Sequence, residues 1–146
     1  MSIKSLHHAS LVVEDLERAK AFFVELGMEV EGEAPIEGPW VDRVNALEGV
    51  RVDIAMMRTP DGQGRLELTK FHHPSVLRPV PEDTLGNALG LRSVMFEVDD
   101  VDATVERLRA HGGELIGEVV DYEDVYRLCY LRGPAGIIVS LAETLG

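Results

Sequence analysis

The sequence predicts an α+β fold built from two copies of one β-α-β-β-β module, and three observations support that prediction. Residues 6–33 align without a gap with residues 91–118. In each copy a strand-like apolar alternation gives way to apolar residues at helical spacing and then to further strand-like runs. Each copy closes on two apolar runs joined by a Pro-x-Gly turn, at residues 60–62 and 134–136. Such a repeat predicts two similar structural units.

The repeat preserves residues that begin and end a helix. Asp15 and Asp100 stand where an N-cap carboxylate accepts free backbone N–H groups, and Gly27 and Gly112 stand where a helix ends in a left-handed residue. The predicted strands are residues 6–13, 28–33, 52–58 and 65–71 in the first copy, and 91–98, 114–120, 126–132 and 137–142 in the second.

A chain of 146 residues fits a single domain, which we expect to span residues 1–146. Its modules are predicted at about residues 3–71 and 90–143. The linker between them, at about residues 72–89, contains Pro74, Pro79 and Pro81, which exclude a central strand. Each module alone would leave a sheet face bare, so we expect the modules to bury these faces together or against a second chain.

Charge and hydropathy argue against two classes of partner. The chain carries 14 Lys and Arg against 26 Asp and Glu, a net charge of -12, and no segment gathers a basic patch for nucleic acid. No apolar run approaches the roughly 20 residues that span a bilayer. The lone Cys129 lies in an apolar run, which predicts a packed thiol, and the absence of a secretory signal predicts a cytoplasmic location.

A family resemblance rests on the duplicated module and on two motifs. The chain opens with His-x-x-x-x-x-x-Asp-Leu-x-x-Ala from His8, and its first half closes on Glu-Leu-Thr from Glu67. This pattern resembles the vicinal oxygen chelate superfamily, which includes glyoxalase I, extradiol dioxygenases and bleomycin resistance proteins. The resemblance implies cupped mixed sheets with helices on their outer faces, and often a homodimer that completes each cup.

In glyoxalase-like members, four inward positions bind one divalent cation. The resemblance carries these positions onto His8, Glu67, Ser93 and Ser140. Imidazole and carboxylate suit Zn, Ni, Mn or Fe, whereas a serine hydroxyl is a poor ligand at neutral pH. The chain therefore departs from the pattern at two positions, and one His and one Glu would hold a metal only weakly.

His8 and Glu67 also have explanations that need no metal. His8 could be a partly buried histidine satisfied by a carbonyl or by Glu67. Glu67 interrupts an apolar strand, where a carboxylate must be paired, hydrogen-bonded or metal-bound. It is therefore a candidate metal ligand, general base or anchor for a cationic ligand group.

Further candidates for substrate binding surround these positions. One of Met56 and Met57 should face the cup by strand alternation, and Trp40 is predicted in a loop that covers the pocket mouth or a subunit contact. Arg127 could clamp an anion, or instead pair with Glu123 or Asp124. The candidate substrate-binding set is Trp40, Met56, Ser93, Arg127, Tyr130 and Ser140.

Two functions follow from this pattern. The first is a metal-free protein that binds a small molecule in the cup, which the serines at the ligand positions favour. The second is a glyoxalase-like lyase or isomerase, or a dioxygenase, that uses His8 and Glu67 with a divalent metal and Glu67 to move a proton. The ligand and its chemistry stay open at this point.

Overall fold

The computed structural model describes residues 2–146, and the chain divides into two units, Met1–Leu77 and Arg78–Gly146. Each unit contains one four-stranded mixed sheet. The sequence repeat is therefore confirmed as a structural repeat. Within the described residues, no helix is both long enough and apolar enough to cross a membrane.

The first unit follows the order strand, helix, strand, helix, strand, strand. Its elements are β1 (Ala9–Val12), α1 (Leu16–Leu26), β2 (Glu29–Glu37), α2 (Pro39–Asn45), β3 (Arg51–Arg58) and β4 (Arg65–His73). The sheet order is β1-β4-β3-β2, with β1 parallel to β4 and the other pairs antiparallel.

The second unit repeats this order without a counterpart of α2. Its elements are β5 (Ser93–Glu97), α3 (Val101–Arg109), β6 (Glu114–Tyr122), β7 (Tyr126–Arg132), a 3-10 turn (Pro134–Gly136) and β8 (Ile138–Thr144). The sheet order is β5-β8-β7-β6, and β5 is parallel to β8. Residues 74–92 contain no helix or strand, in agreement with the prediction for the prolines there.

Both long helices begin at the predicted aspartates. The Asp15 carboxylate accepts a hydrogen bond from the Arg18 backbone N–H at 3.0 Å, and that of Asp100 accepts one from Ala103 at 2.9 Å. Gly27 ends α1 with a φ of 123°, a conformation that costs a side-chain-bearing residue free energy.

Each long helix packs on one face of its own sheet and builds a core there. Phe22 and Phe23 of α1 are buried, as are Met57 and Leu68 of the sheet it contacts. In the second unit the buried side chains include Leu108 of α3, Leu131 of β7 and Leu141 of β8. Close packing of these apolar side chains is the main stabilising term in each unit.

Helix α2 packs on the other face of the first sheet, at one end. The buried residues Val41, Val50 and Val52 form a cluster there with the partly buried Ile36, Ile54 and Phe71. The prediction that Trp40 lies in a loop is wrong, because Trp40 is in α2. Pro39 occupies the first turn of α2, where its missing N–H costs nothing and its fixed φ favours a helix.

The first strand is shorter than predicted. It begins at Ala9, whereas the sequence predicted a strand from residue 6. Its neighbour β4 begins at Arg65, and Ala9 is already paired with Leu66, so the residues before His8 run past the end of β4.

Candidate functional site

Glu67 carries its carboxylate on the sheet face opposite α1. It lies on β4 directly beside Ser10 of the parallel strand β1. Its Oε1 accepts hydrogen bonds from the Ser10 hydroxyl at 3.0 Å and the Thr69 hydroxyl at 3.2 Å. The side chain is 24% exposed. The two hydroxyl groups therefore hold one carboxylate oxygen and leave Oε2 facing outward from them.

His8 lies immediately before β1 and faces that second oxygen. Its Nε2 is 3.8 Å from Glu67 Oε2, and its side chain is 30% exposed. Its Nδ1 is 2.8 Å from Nδ1 of His7, so one of these two nitrogens carries the shared proton. Both histidines lie in the irregular backbone before Ala9, where their rings meet edge to face.

The His8–Glu67 pair has the geometry of part of a metal site. Two ligands at about 2.0–2.2 Å from one tetrahedral Zn ion stand about 3.3–3.6 Å apart, slightly less than the 3.8 Å between Nε2 and Oε2. Among residues 2–146, no group of three or more His, Cys, Asp or Glu side chains is placed to hold a metal ion. The pair thus supplies two donors, and no third side chain of these types within residues 2–146 forms a cluster with them.

Met56 completes this site from the neighbouring strand. It is the direct partner of Glu67 in the antiparallel β3–β4 pair and therefore shares its face. Met57 points to the opposite face and is fully buried. The alternation predicted from the sequence therefore distinguishes the two methionines correctly.

The second unit brings Ser93, Ser140 and Tyr130 to one sheet face. Ser140 pairs with Met95 of β5 on one side and with Tyr130 of β7 on the other, as Glu67 pairs with Ser10 and Met56. Ser93 lies two residues before Met95 and so faces the same way. This register supports the equivalence of Ser140 with Glu67 and of Ser93 with His8.

Ser140 is buried with an unsatisfied hydroxyl. It is 1% exposed, and its Oγ has no hydrogen-bond partner among the described residues. An unpaired buried hydroxyl costs about 1–3 kcal/mol. Most buried hydroxyl groups in folded proteins have a hydrogen-bond partner. The Ser140 hydroxyl therefore marks a position in the second sheet where a hydrogen-bond partner is missing.

Arg127 does not join these residues. It alternates to the α3 side of β7, where it donates hydrogen bonds to Asp121 Oδ1 at 2.9 Å and to Asp102 Oδ2 at 2.7 Å. The expected pairing with Glu123 or Asp124 is wrong. Asp121 is the direct cross-strand partner of Arg127 on β6. Asp102 lies on α3, 25 residues away in the sequence, so no local pattern indicates this contact.

Trp40 lies apart from Glu67, on α2, and is 57% exposed. Next to it, a depression of about 600 Å³ is lined by residues of the β2–α2 connection and of the ends of β3 and β4, including Glu37, Arg51 and His73. His73 donates from Nδ1 to the Gly49 carbonyl at 2.9 Å, and His72 contacts Asp53 at 2.9 Å. Both histidines are thereby engaged away from Glu67.

Sequence reasoning missed Ser10 and Thr69, which hold the Glu67 carboxylate. Thr69 is two residues from Glu67 and could have been found by alternation. Ser10 reaches Glu67 only through the parallel register of β1 and β4, which no local pattern specifies.

Comparison with known proteins shows that the chain is similar to one protein family over almost its whole length. The family model described as Glyoxalase/Bleomycin resistance protein/Dioxygenase superfamily matches residues 5–141. A crystal structure of a glyoxalase family protein from Bacillus cereus is 48% identical and superposes with a TM-score of 0.94, covering 100% of this chain and 97% of that chain.

Two curated relatives extend this comparison. The uncharacterized protein YaeR of Escherichia coli is 29% identical over 144 residues, covering 98% of both proteins. The uncharacterized protein YwkD of Bacillus subtilis is 30% identical over 115 residues, covering 78% of this chain and 77% of YwkD.

Proposed function

The chain belongs to the glyoxalase/bleomycin resistance protein/dioxygenase superfamily, and from this we propose that it binds a small organic molecule on the open faces of its sheets, the faces opposite α1 and α3. Members of this superfamily bind small molecules, some of them as dimers. The binding groups proposed in this chain are His8, Met56 and Glu67 in the first unit, and Ser93, Tyr130 and Ser140 in the second.

The observation that carries the proposal is the arrangement of the Glu67 carboxylate. Two hydroxyl donors fix Oε1, so Oε2 is presented to a ligand in one orientation beside the imidazole of His8. A carboxylate that is oriented in advance loses less conformational entropy when it binds a ligand N–H or O–H group. Met56 supplies an adaptable apolar contact next to it.

A thermal-shift screen of small oxygenated and amine-bearing molecules tests this proposal. A ligand present at 100 times its Kd stabilises the fold by about 2.7 kcal/mol, so bound compounds raise the Tm. The shift should disappear in Glu67→Gln and persist in Glu118→Gln, which removes the same charge from an exposed position in the second unit. A screen without any shift, or a shift equal in both variants, would count against Glu67 as the binding group.

A second candidate function is metal-dependent catalysis, which the 3.8 Å separation of His8 Nε2 and Glu67 Oε2 favours. His8 and Glu67 would hold a Zn, Ni, Mn or Fe(II) ion, which would polarise vicinal oxygens of a substrate. Elemental analysis of protein purified without chelator, followed by metal titration of wild type and His8→Ala, distinguishes the candidates. A stoichiometric metal that His8→Ala loses supports catalysis, and the absence of a titratable site supports metal-free binding.

The assembly is also a proposal. Leu77, Val80 and Leu89, between the two sheets in sequence, are 93%, 93% and 98% exposed, and a subunit contact would bury their apolar surface. We expect a homodimer that covers them, and one domain formed by both units. Sedimentation at several concentrations would reveal the dimer, and a single unfolding transition would support one domain. A cytoplasmic location stays a prediction.

A further inference from the structure

All three tyrosines of the chain lie on one face of the second sheet. Tyr122 of β6 and Tyr126 of β7 are direct cross-strand partners, so they share a face. Tyr130 lies four residues beyond Tyr126 on the same strand and, by alternation, on the same face. Their exposed fractions are 55%, 41% and 44%. We call this surface the tyrosine face.

No helix covers the tyrosine face within the second unit, and residues 83 and 84 reach only its Arg132 end. Residues 123–125 join β6 to β7 directly, whereas α2 lies between β2 and β3 of the first unit. Met95 of β5 and Val120 of β6 lie on the same face and are 54% and 52% exposed. Aromatic rings and a flexible thioether are thus presented together.

Two carboxylates lie on this face, Glu97 on β5 and Glu114 on β6, and Glu114 is the direct partner of Arg132. Glu97 follows Met95 by two residues on β5, and its Oε2 accepts a hydrogen bond from the Thr144 hydroxyl at 2.8 Å. Thr144 is the direct partner of Tyr126. The nearest arginine on this face of β7, Arg132, donates to the carbonyl groups of residues 83, 84 and 136.

The unsatisfied hydroxyl of Ser140 lies in the middle of the same surface. Its direct partners are Met95 and Tyr130, both on the tyrosine face. The buried Oγ lacks a hydrogen-bond partner among residues 2–146. A ligand hydroxyl or N–H group that enters between Met95 and Tyr130 would supply that partner.

We propose that the tyrosine face binds a small organic cation, a quaternary or protonated amine that also carries a hydroxyl group. Tyrosine rings attract a cation over their faces, Glu97 adds an opposite charge, and Ser140 pairs with the hydroxyl. The net charge of -12 raises the local concentration of cations. This inference rests on the proposed small-molecule function and names the class of ligand.

Choline and its uncharged isostere 3,3-dimethylbutan-1-ol provide the test, because they share shape and hydroxyl but differ in charge. We expect choline to shift the ring resonances of all three tyrosines in NMR titrations of the full chain, and the isostere to bind at least about fivefold more weakly. Raising the salt concentration should weaken choline binding and leave the isostere unaffected.

Matched variants assign the effect to named groups. Tyr126→Leu should weaken choline binding about fivefold or more, whereas Tyr126→Phe, which keeps the ring, should stay within about twofold of wild type. Glu97→Gln should reduce the difference between choline and its isostere. An unchanged Tm in each variant confirms that the fold is intact.

Three outcomes would overturn the inference. Equal affinity for choline and the isostere would leave ligand binding in place and remove the cation assignment. Tyrosine shifts that depend on protein concentration and not on choline would assign the face to a second copy of the chain. The absence of any tyrosine shift would end the inference, while the thermal-shift screen with Glu67→Gln would still decide the proposed function separately.

Discussion

The two sheets share strand order and register, yet their open faces differ in chemistry. In the first sheet, α2 covers one end of the face, and the exposed centre presents Glu67 with His8. In the second sheet, the equivalent central position is the buried Ser140, and three exposed tyrosines lie on the same face, with Tyr130 its direct partner. The difference in coverage follows from the connection between the second and third strands of each unit, which contains α2 in the first unit and no helix in the second. The duplicated backbone therefore gives each unit an open sheet face. The connection between the second and third strands determines how much of that face a helix covers.

The faces that carry the long helices differ much less. Ala55, Met57 and Leu68 are buried in the first sheet, and Cys129, Leu131 and Leu141 occupy corresponding paired positions in the second. Packing against a helix restricts side-chain volume at these positions. The open faces escape that restriction, which explains why they diverged in polarity.

The largest expected effect comes from uncoupling α2 from the first sheet. Val41→Asp places a charge in the buried cluster and should lower the free energy of unfolding by about 3 kcal/mol or more. Val44→Asp makes the same change on the same helix at a side chain that is 75% exposed, and should cost less than about 0.5 kcal/mol. Urea denaturation measures both. Equal losses would show that α2 does not contribute through packing.

The next effect concerns Cys129, which replaces the alanine found at the corresponding position of the first sheet. Burial raises the pKa of the Cys129 thiol to about 11 from its usual 9.0. Between these values the unfolded chain loses the proton and the folded chain keeps it. The stability linked to this thiol is therefore fully present below about pH 9 and is lost as pH rises towards 11.

Cys129→Ala, which makes the second sheet resemble the first, is the control for this prediction. Wild type should lose stability relative to Cys129→Ala between pH 9 and 11, as measured by Tm. Alkylation by iodoacetamide at pH 8 should be about a hundredfold slower in native than in unfolded wild type, from the thiolate fractions alone. Fast alkylation of the native protein would contradict the buried environment.

A smaller effect compares the N-termini of the two long helices. Asp15→Ala should lower the free energy of unfolding by about 1 kcal/mol, because it removes the acceptor of the Arg18 N–H. Asp100→Ala should cost less, since Glu143 still accepts a hydrogen bond from the Val101 N–H at 2.9 Å. Denaturant titration of both variants checks the order, and a larger loss in Asp100→Ala would reverse it.

The smallest expected effect concerns a surface ion pair of the first unit. Hydrogen bonding from Arg65 holds the pKa of the Glu31 carboxyl below its usual value. In Arg65→Gln that pKa should rise, as measured by NMR titration, while the Tm at neutral pH should hardly change because exposed ion pairs contribute little. The linked stability is present above the ordinary carboxyl pKa and is lost as pH falls, so any small Tm difference between wild type and Arg65→Gln should vanish at acid pH, and a difference that grows as pH falls would contradict this account.

The sequence was sufficient for features that depend on local patterns. The repeat, both aspartate N-caps, the Pro-x-Gly turns and the burial of Cys129 were predicted and are confirmed. Each of these depends on a few consecutive residues or on an internal copy. The helix α2 was missed because Gly38 and Pro39 also occur in loops, and only the burial of Val41 against the sheet stabilises so short a helix.

The site was predicted less completely because its contacts join distant parts of the chain. Glu67 was identified as a polar residue in an apolar strand, but its donor Ser10 comes from a parallel neighbour. The sequence placed Arg127 among the ligand-binding residues. In the structure it points to the helix side of β7, where it donates a hydrogen bond to Asp102 of α3. Whether the remaining site residues bind a ligand stays a prediction.

The different connections between the paired strands also offer a route to redesign. Ile36 and Val52 are direct partners across the first connection, and Tyr122 and Tyr126 are direct partners across the second; both pairs point to the open face of their sheet. A connection that leaves and re-enters at such equivalent paired positions can be exchanged without shifting the register. Replacing residues 123–125 with residues 37–51 would create a chimera with a helix over the second sheet, and the reverse exchange would expose the first. Receptor pockets of chosen depth could thus be engineered on one backbone by altering a single loop.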